Sequence, residues 1–376
     1  MPSLYVHVPF CIRKCAYCAF YSVPLQRAKV EDYLKGLNQE IALRQEEIPE
    51  EVSTLFMGGG TPTALSEIEL ETVFSLLKQR FNFAASAEKT IEANPGTLTA
   101  GKLHVLKDHG INRISLGVQS FNDTLLKRIG RIHGAQDIHD GVKMVREAGF
   151  HNLNLDLMFG LPGQSLEDWQ KTLAEAIEIQ PEHLSIYGLM IEENTPLELD
   201  TDLLKDLPGD DAQAEMYELG QEMLTKAGYL HYETSNYALP GHECRHNLGY
   251  WHGEEYLGLG PGAVSCLKNR RRKNCEDLAL YREKLNREDL PIDSLEDESL
   301  TNDQQRSERI ILGLRLAEGI NLENFKKEFR VDLFELYPTA LERYINRGVL
   351  RVEEGKFLKM NPEFWFVANS VLQEFV

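Results

Sequence analysis

Through its first half the chain alternates short apolar-rich runs with amphipathic helical stretches, and this switching of period restricts the fold more than any other feature. Strand-like runs lie at 4–8, 54–57, 90–93, 113–118, 153–158 and 184–189, with helical patterns between them. One helix starts at Ser66 with Glu69 three residues on, a capping-box arrangement, and continues with Leu70, Val73, Phe74 and Leu77 on one face. Gly110 and Gly149 stand where later helices should stop. Six strand–helix units imply an α/β fold: a parallel sheet with right-handed crossovers, either open or curled into part of a barrel.

In parallel α/β architectures ligands bind at the carboxyl ends of the strands, where loops vary freely and helix N-termini point inward. Polar and glycine-rich residues fall there repeatedly. A cysteine-rich loop follows the first run, and Gly58, Gly59, Gly60, Thr61 and Pro62 follow the second. Glu92 and Asn94 close the third, Gln119 and Ser120 follow the fourth, and Asp156 sits near the end of the fifth. By residue type alone the glycine run reads equally as a tight turn or as backbone that a ligand can approach. Glu92 alone reads as a strand-end charge and Arg131 as a solvated one.

Cys11, Cys15 and Cys18, spaced CxxxCxxC, are three of the chain's 6 cysteines. One short loop can turn all three thiolates toward a common point. Thiolates are soft ligands suited to iron and zinc, and a four-iron cluster normally takes four of them, so three leave one iron open. A closed zinc site would need a fourth ligand, which His7 or a distant cysteine could supply. No signal peptide is evident and the cysteine content is low, which argues against a disulfide framework and for reduced thiols in the cytoplasm. Lys and Arg total 40 against 59 Asp and Glu, a net charge of −19, which argues against a general nucleic-acid binder. No uninterrupted apolar run approaches the length of a membrane span. Peripheral membrane contact and a homodimer stay open.

The segment YVHVPFCIRKCAYCAF, residues 5–20, resembles the opening of radical SAM proteins, and within them the coproporphyrinogen-dehydrogenase-like branch. The resemblance implies a partial (β/α)6 barrel carrying a four-iron four-sulfur cluster on Cys11, Cys15 and Cys18, whose open iron binds S-adenosylmethionine. An electron donor would reduce the cluster, and cleavage of the sulfonium would give a deoxyadenosyl radical, chemistry that the protein only positions. Further residues follow the family pattern. GGGTP at 58–62, with Gly58, Gly59 and Thr61, is expected to meet the aminoacyl end of the cofactor, and Glu92 in EANP to accept a hydrogen bond from it. Gln119 and Asp156 are expected at the ribose, Arg131 at the methionine carboxylate, and Tyr5 also at the cofactor. Vicinal hydroxyls suit amide and carboxylate acceptors, and guanidinium suits a carboxylate.

A second informative stretch, GHECRHNLGYWH at 241–252, mixes His242, Cys244, His246 and His252 with Tyr250 and Trp251. Imidazole and flat aromatics could cap a heme, though a glycine-rich aromatic loop is often just a folded lid. Within it HNLGYW resembles the HNxxYW motif of heme chaperones of the HemW type. That resemblance implies heme binding by His246, Asn247, Tyr250 and Trp251, with His246 the preferred iron-facing ligand and His242 and Cys244 as competitors.

The same branch contains oxygen-independent coproporphyrinogen III dehydrogenases, which resemble this chain less closely. They carry a further cysteine two positions after the third, where this chain has Phe20, and a longer segment before the cluster loop. The expected function is therefore a heme chaperone delivering heme to acceptor proteins. A dehydrogenase is the alternative, and a zinc-stabilised module without redox chemistry is a third reading. Three regions are expected: a radical SAM barrel at 1–195, an extension with the heme motif at 196–295, and a winged-helix-like module of helices and a hairpin at 296–376. The basic run Lys268, Arg270, Arg271, Arg272 and Lys273 reads as a solvated hairpin tip, with heme propionates or anionic headgroups as sharper options. Cys266 and Cys275 flank it without a recognisable spacing.

Overall fold

The computed structural model describes residues 2–48 and 51–376. Six parallel strands lie side by side in chain order: β1 (Ser3–Val8), β2 (Val52–Gly59), β3 (Phe83–Ala93), β4 (Arg113–Gln119), β5 (Leu153–Phe159) and β6 (His183–Gly188). Each expected strand is present and longer or shifted by a few residues. Register aligns Tyr5 with Phe56, Phe56 with Thr90, Thr90 with Arg113, Ser115 with Asn154, and Asn154 with His183. Strand side chains alternate between faces, so one face carries Leu4, Val6, Leu55, Met57, Ile91, Ile114, Leu116, Leu155 and Leu184, all buried. The opposite face is polar and aromatic. This is the six-unit partial barrel that the radical SAM resemblance implies, with no closure between its edges among the described residues.

Local chemistry sets the crossovers. Ser66 and Glu69 form the predicted capping box on the helix Glu67–Arg80, which buries Leu70, Val73, Phe74 and Leu77. Full burial of each such side chain stabilises the fold by about 1.5–3 kcal/mol. Gly110 and Gly149, at φ of +74° and +78°, follow the helices Ala100–Asp108 and Ala135–Glu147, a conformation that a side chain would strain.

Beyond β6 the sheet grows at both edges to twelve strands. The stretch read as one alternating strand is a hairpin, β7 (Leu230–Glu233) and β8 (Asn236–Ala238), whose second strand pairs antiparallel with β6. Its turn at Thr234 and Ser235 lacks the glycine or proline signals by which sequence announces a reversal. At the other edge β9 (Tyr256–Leu259) joins β1 in parallel, and β10 (Val264–Leu267), β11 (Arg270–Asn274) and β12 (Ile292–Ser299) continue antiparallel. The boundary expected at 295/296 therefore falls inside β12.

The basic run is not a solvated tip. Lys268 and Asn269, both at positive φ, make the hairpin turn, and the arginines lie along β11 facing acidic residues. Arg270 pairs with Asp297, Arg271 with Glu298 and Glu308, Arg272 with Glu47, and Lys273 with Glu276. Apart from Glu276, three residues beyond Lys273, the acidic partners lie more than twenty residues away in sequence, so the run alone gave no sign of them.

The C-terminal module sets the helices Asn302–Gly313, Leu322–Phe329 and Pro338–Asn346 against a three-stranded sheet, Ile320–Asn321, Leu350–Glu353 and Phe357–Met360. It is winged-helix-like, as expected. Trp365 meets the His231 ring edge-on at 4.4 Å and docks the module onto β7.

A buried ion pair fastens the sheet extension to the first helix, Arg27–Arg44. Glu40 accepts from Arg44 at 3.2 Å, Gly260 N–H at 2.8 Å, Asn274 Nδ2 at 2.6 Å and Tyr281 OH at 2.7 Å. Arg44 also donates to Gly258 O and Ser265 Oγ. Both charges are fully buried, and Arg44 also pairs with Glu47 at 3.2 Å, so removing Glu40 leaves Arg44 that one part-exposed carboxylate and strips Gly260 N–H and Tyr281 OH of their buried acceptor. Glu40→Ala is expected to cost about 3–5 kcal/mol in urea unfolding, and a loss below about 1 kcal/mol, typical of an exposed pair, would contradict this anchoring role.

Candidate functional site

The cysteine loop leaves β1 and is pinned by backbone hydrogen bonds from Leu25 N to Cys11 O and from Ala16 N to Ile129 O. Cys11, Cys15 and Cys18 are free and half-buried. Burial pushes the Cys11 and Cys18 thiols up. Arg131 Nη1 stands 3.5 Å from Cys15 Sγ, and Thr61 Oγ1 3.7 Å from Cys11 Sγ. Among the described residues no three His, Cys, Asp or Glu groups are gathered as ligands of one metal ion. The fit to an iron–sulfur cluster rests on donor chemistry: three free soft thiols on one loop, beside a cation that favours thiolate.

The glycine run is more than a turn. A Cβ on Gly58 would lie 2.9 Å from the Glu92 carboxylate, and one on Gly60 would lie 2.7 Å from Phe10 O in the cluster loop. Gly59, at φ +110°, faces the His7 ring, and its N–H donates to Glu92 Oε2 at 3.1 Å. Close approach therefore excludes a side chain at each position. Glu92 is half-buried, and desolvation first, then Asp156, pushes its carboxyl up to about 8. Asp156 is likewise raised by burial, against hydrogen bonds from Asn154 at 2.7 Å and Ser115 at 3.0 Å.

Three atoms in this region lack partners among the described residues, Gln119 Oε1, Arg131 Nε and His133 Nδ1. Gln119 sits at φ +67° with its Oε1 buried and unpaired, and Arg131 has its Nε buried and unpaired. An unpaired acceptor beside a carboxylate suits hydroxyl donors, and an unpaired guanidinium N–H suits an anion, which are the groups that S-adenosylmethionine carries. Arg131 is otherwise held by Asn94 Oδ1 at 2.7 Å and by Gly117 O. Asn94 donates to Thr61 Oγ1 at 2.8 Å. Cys15, Thr61, Asn94 and Arg131 share one small cleft with His133. Asn94 stands out in the sequence as a strand-end residue, whereas His133 and Gly117 carry no ligand signal there. Gly117 is needed because a Cβ there would lie 2.8 Å from Asn94 Oδ1. Tyr5 stands away from this cleft, its ring stacked on Phe56 and its hydroxyl 3.1 Å from His7 Nδ1.

The histidine motif lies on a short helix, Arg245–Trp251, against the polar face of the barrel. Glu88 caps it by accepting from the backbone N–H groups of Arg245 and His246, each at 3.1 Å. His246 is 1% exposed, with Nδ1 2.7 Å from Thr54 Oγ1, Nε2 3.0 Å from Tyr250 OH, and its ring stacked on Phe56. Burial, then the Arg113 charge, lowers its pKa to about 3. Both nitrogens are engaged, so in this arrangement His246 positions its helix and presents no lone pair to an iron. Cys244 is fully buried against Glu88 at 3.6 Å, and His242 is half-buried. The motif does not converge on one point. Tyr250 faces a cavity, Trp251 lies with its ring under Arg315 at 5.7 Å, and Asn247 is half-buried on the helix.

Residues 5–176 match the Radical SAM superfamily, and residues 300–363 match the HemN C-terminal domain. The heme chaperone HemW of Lactococcus lactis is 36% identical over 100% of this chain and 97% of its own length. HemW of Bacillus subtilis is 36% identical over 94% of both chains, and HemW of Escherichia coli 46% over 69% of both. The chain belongs to the HemW family of radical SAM proteins. The structure of coproporphyrinogen III oxidase HemN from Escherichia coli, described as a radical SAM enzyme, covers the whole chain with a TM-score of 0.87 at 25% identity, and 90% of that chain is covered in turn. Family membership and architecture thus agree from the cluster loop through the C-terminal module.

The raised Glu92 carboxyl makes stability depend on pH. Between its ordinary value of 4.5 and about 8 the folded chain keeps a proton that the unfolded chain releases. This contribution therefore falls as pH rises through that window and is fully lost above it. Glu92→Gln is expected to flatten the decline of unfolding free energy between about pH 5 and 8. Equal slopes for variant and parent would contradict the assignment.

Proposed function

We propose that this chain is a heme chaperone: it binds heme, holds a four-iron four-sulfur cluster with S-adenosylmethionine, and passes heme to acceptor proteins. The observation that carries the reading is similarity to a heme chaperone along the whole chain, HNxxYW helix included, at 36% identity. Cys11, Cys15 and Cys18 hold the cluster through thiolates. Gly58 and Gly59 keep side chains away from the aminoacyl end of S-adenosylmethionine, and Thr61 fixes the loop against Cys11. Glu92 accepts from that end, Gln119 and Asp156 take the ribose hydroxyls, and Arg131 offers its free N–H to the carboxylate. When bound, the cluster and S-adenosylmethionine supply one-electron chemistry at the sulfonium. Tyr5 and His7 connect the barrel interior to the loop end through His7 Nε2, 2.9 Å from Tyr21 O.

The heme motif acts through placement: His246 and Asn247 set the helix, and Tyr250 and Trp251 present aromatic surface. The three regions are a barrel, a sheet extension with this helix, and a C-terminal module that starts after Ser299. Acceptor proteins and a one-electron donor are the expected partners, in the cytoplasm. No helix among the described residues is long and apolar enough to cross a membrane. The dehydrogenase reading draws on the HemN likeness, but Phe20, 69% exposed, stands where those enzymes are expected to have a further cysteine.

Heme-loaded protein mixed with an apo-heme acceptor is expected to shift the Soret band to that of the loaded acceptor, and retention of all heme would contradict the chaperone role. Cys15→Ala is expected to remove cluster iron and sulfide after anaerobic reconstitution while far-UV circular dichroism stays unchanged. An intact cluster in that variant would remove Cys15 from the ligand set.

A further inference from the structure

We propose that heme lies in the cavity between the end of the cluster loop, the sheet extension and the C-terminal module, with the Cys266 sulfur on its iron. The inference rests on the chaperone reading and deepens it. The cavity measures about 630 Å3, within the roughly 300–1,000 Å3 of cofactor sites. Six aromatic rings stand in its wall, Tyr5, Phe20, Tyr21, Tyr250, Tyr256 and Phe329, among charged and aliphatic side chains. Phe20 in particular presents an exposed ring that no neighbouring side chain covers by stacking, the surface a flat macrocycle would use.

The wall also connects directly to the histidine motif. Tyr250 meets Tyr256 edge-on at 4.6 Å, and Tyr256 stands opposite Cys266 across β9 and β10. Cys266 in turn faces Arg271 across β10 and β11, and all four side chains line the cavity. Its histidine and cysteine members are His7 and Cys266. His7 has both ring nitrogens engaged, by Tyr5 OH and Tyr21 O. The half-buried Cys266 thiol is in no disulfide and makes no hydrogen bond to a described side chain. A thiolate is a competent axial ligand of heme iron. On binding, an iron–sulfur bond forms, the thiol proton leaves to solvent, and no oxidation state changes.

The wall offers three cations to the propionates, set among four carboxylates, Glu254, Glu276, Glu308 and Glu328. Arg271, Lys273 and Arg309 line the cavity, and each already holds a carboxylate, from Glu308, Glu276 and Glu328 respectively. A propionate can exchange for one of these without leaving a cation unpaired.

The test uses cluster-loaded protein titrated with ferric heme. Iodoacetamide labelling of Cys266, read by peptide mass spectrometry, is expected to drop when heme is bound. Cys266→Ala is expected to lose the thiolate signature in the low-spin electron paramagnetic resonance spectrum. Its affinity should fall by at least the roughly 10–100-fold that loss of an outer-shell partner costs a metal site, while cluster iron and sulfide stay at parent levels. If the parent binds heme but Cys266 is labelled equally with and without it, or if Cys266→Ala keeps spectrum and affinity, this site is wrong and the chaperone reading stands. If the parent binds no heme at all, both fall.

Discussion

Six parallel strands that turn a polar face inward must find a partner for every group on that face, and this requirement shapes the rest of the molecule. Buried parallel sheets are usually apolar on both sides, with no such side-chain hydrogen bonds to satisfy. Here Asn154 donates to Ser115 and Asp156, while its Oδ1 lies 2.6 Å from His183 Nδ1, whose Nε2 reaches Tyr232 OH at 2.8 Å. Glu88 uses its carboxylate to cap the motif helix. Leaving such groups unpaired costs about 1–3 kcal/mol each, so the network holds the strands in register and fixes where Glu92 and Asp156 stand. At the mouth of the barrel Gln119 Oε1, Arg131 Nε and His133 Nδ1 are left without partners among the described residues, beside the groups proposed to hold the cofactor.

The alternation of period two with helical spacing made this architecture legible. Six strands, the Ser66 capping box and the helix stops at Gly110 and Gly149 depend on local sequence, and each stands where the pattern puts it. The cysteine loop, glycine run and EANP segment were legible as chemistry because each is contiguous. What depended on distant partners was not. The run from Arg270 to Lys273 looks like a free basic patch until Glu47, Asp297, Glu298 and Glu308 come alongside. Likewise a histidine in a motif invites a ligand role, and only the fold shows that Thr54 and Tyr250 already engage both of its nitrogens.

Two regions of chemistry emerge on opposite sides of β1. Its residues Tyr5 and His7 share a wall with the aromatic cavity, while the loop that follows carries the three thiols. Tyr21, just past the last cysteine, holds His7 at 2.9 Å and lines the same cavity. Ordering of the cysteine loop and the shape of the cavity are therefore mechanically linked through one strand and one hydrogen bond.

The central claim is that this radical SAM scaffold carries a porphyrin rather than transforming one. Anaerobic incubation of the reconstituted protein, in parallel with heme and with coproporphyrinogen III plus S-adenosylmethionine and a reductant, tests it most directly. The account predicts stoichiometric heme binding and no decarboxylated product. Turnover to protoporphyrinogen would contradict it, showing that a chain with Phe20 after its third cysteine still performs the dehydrogenase reaction.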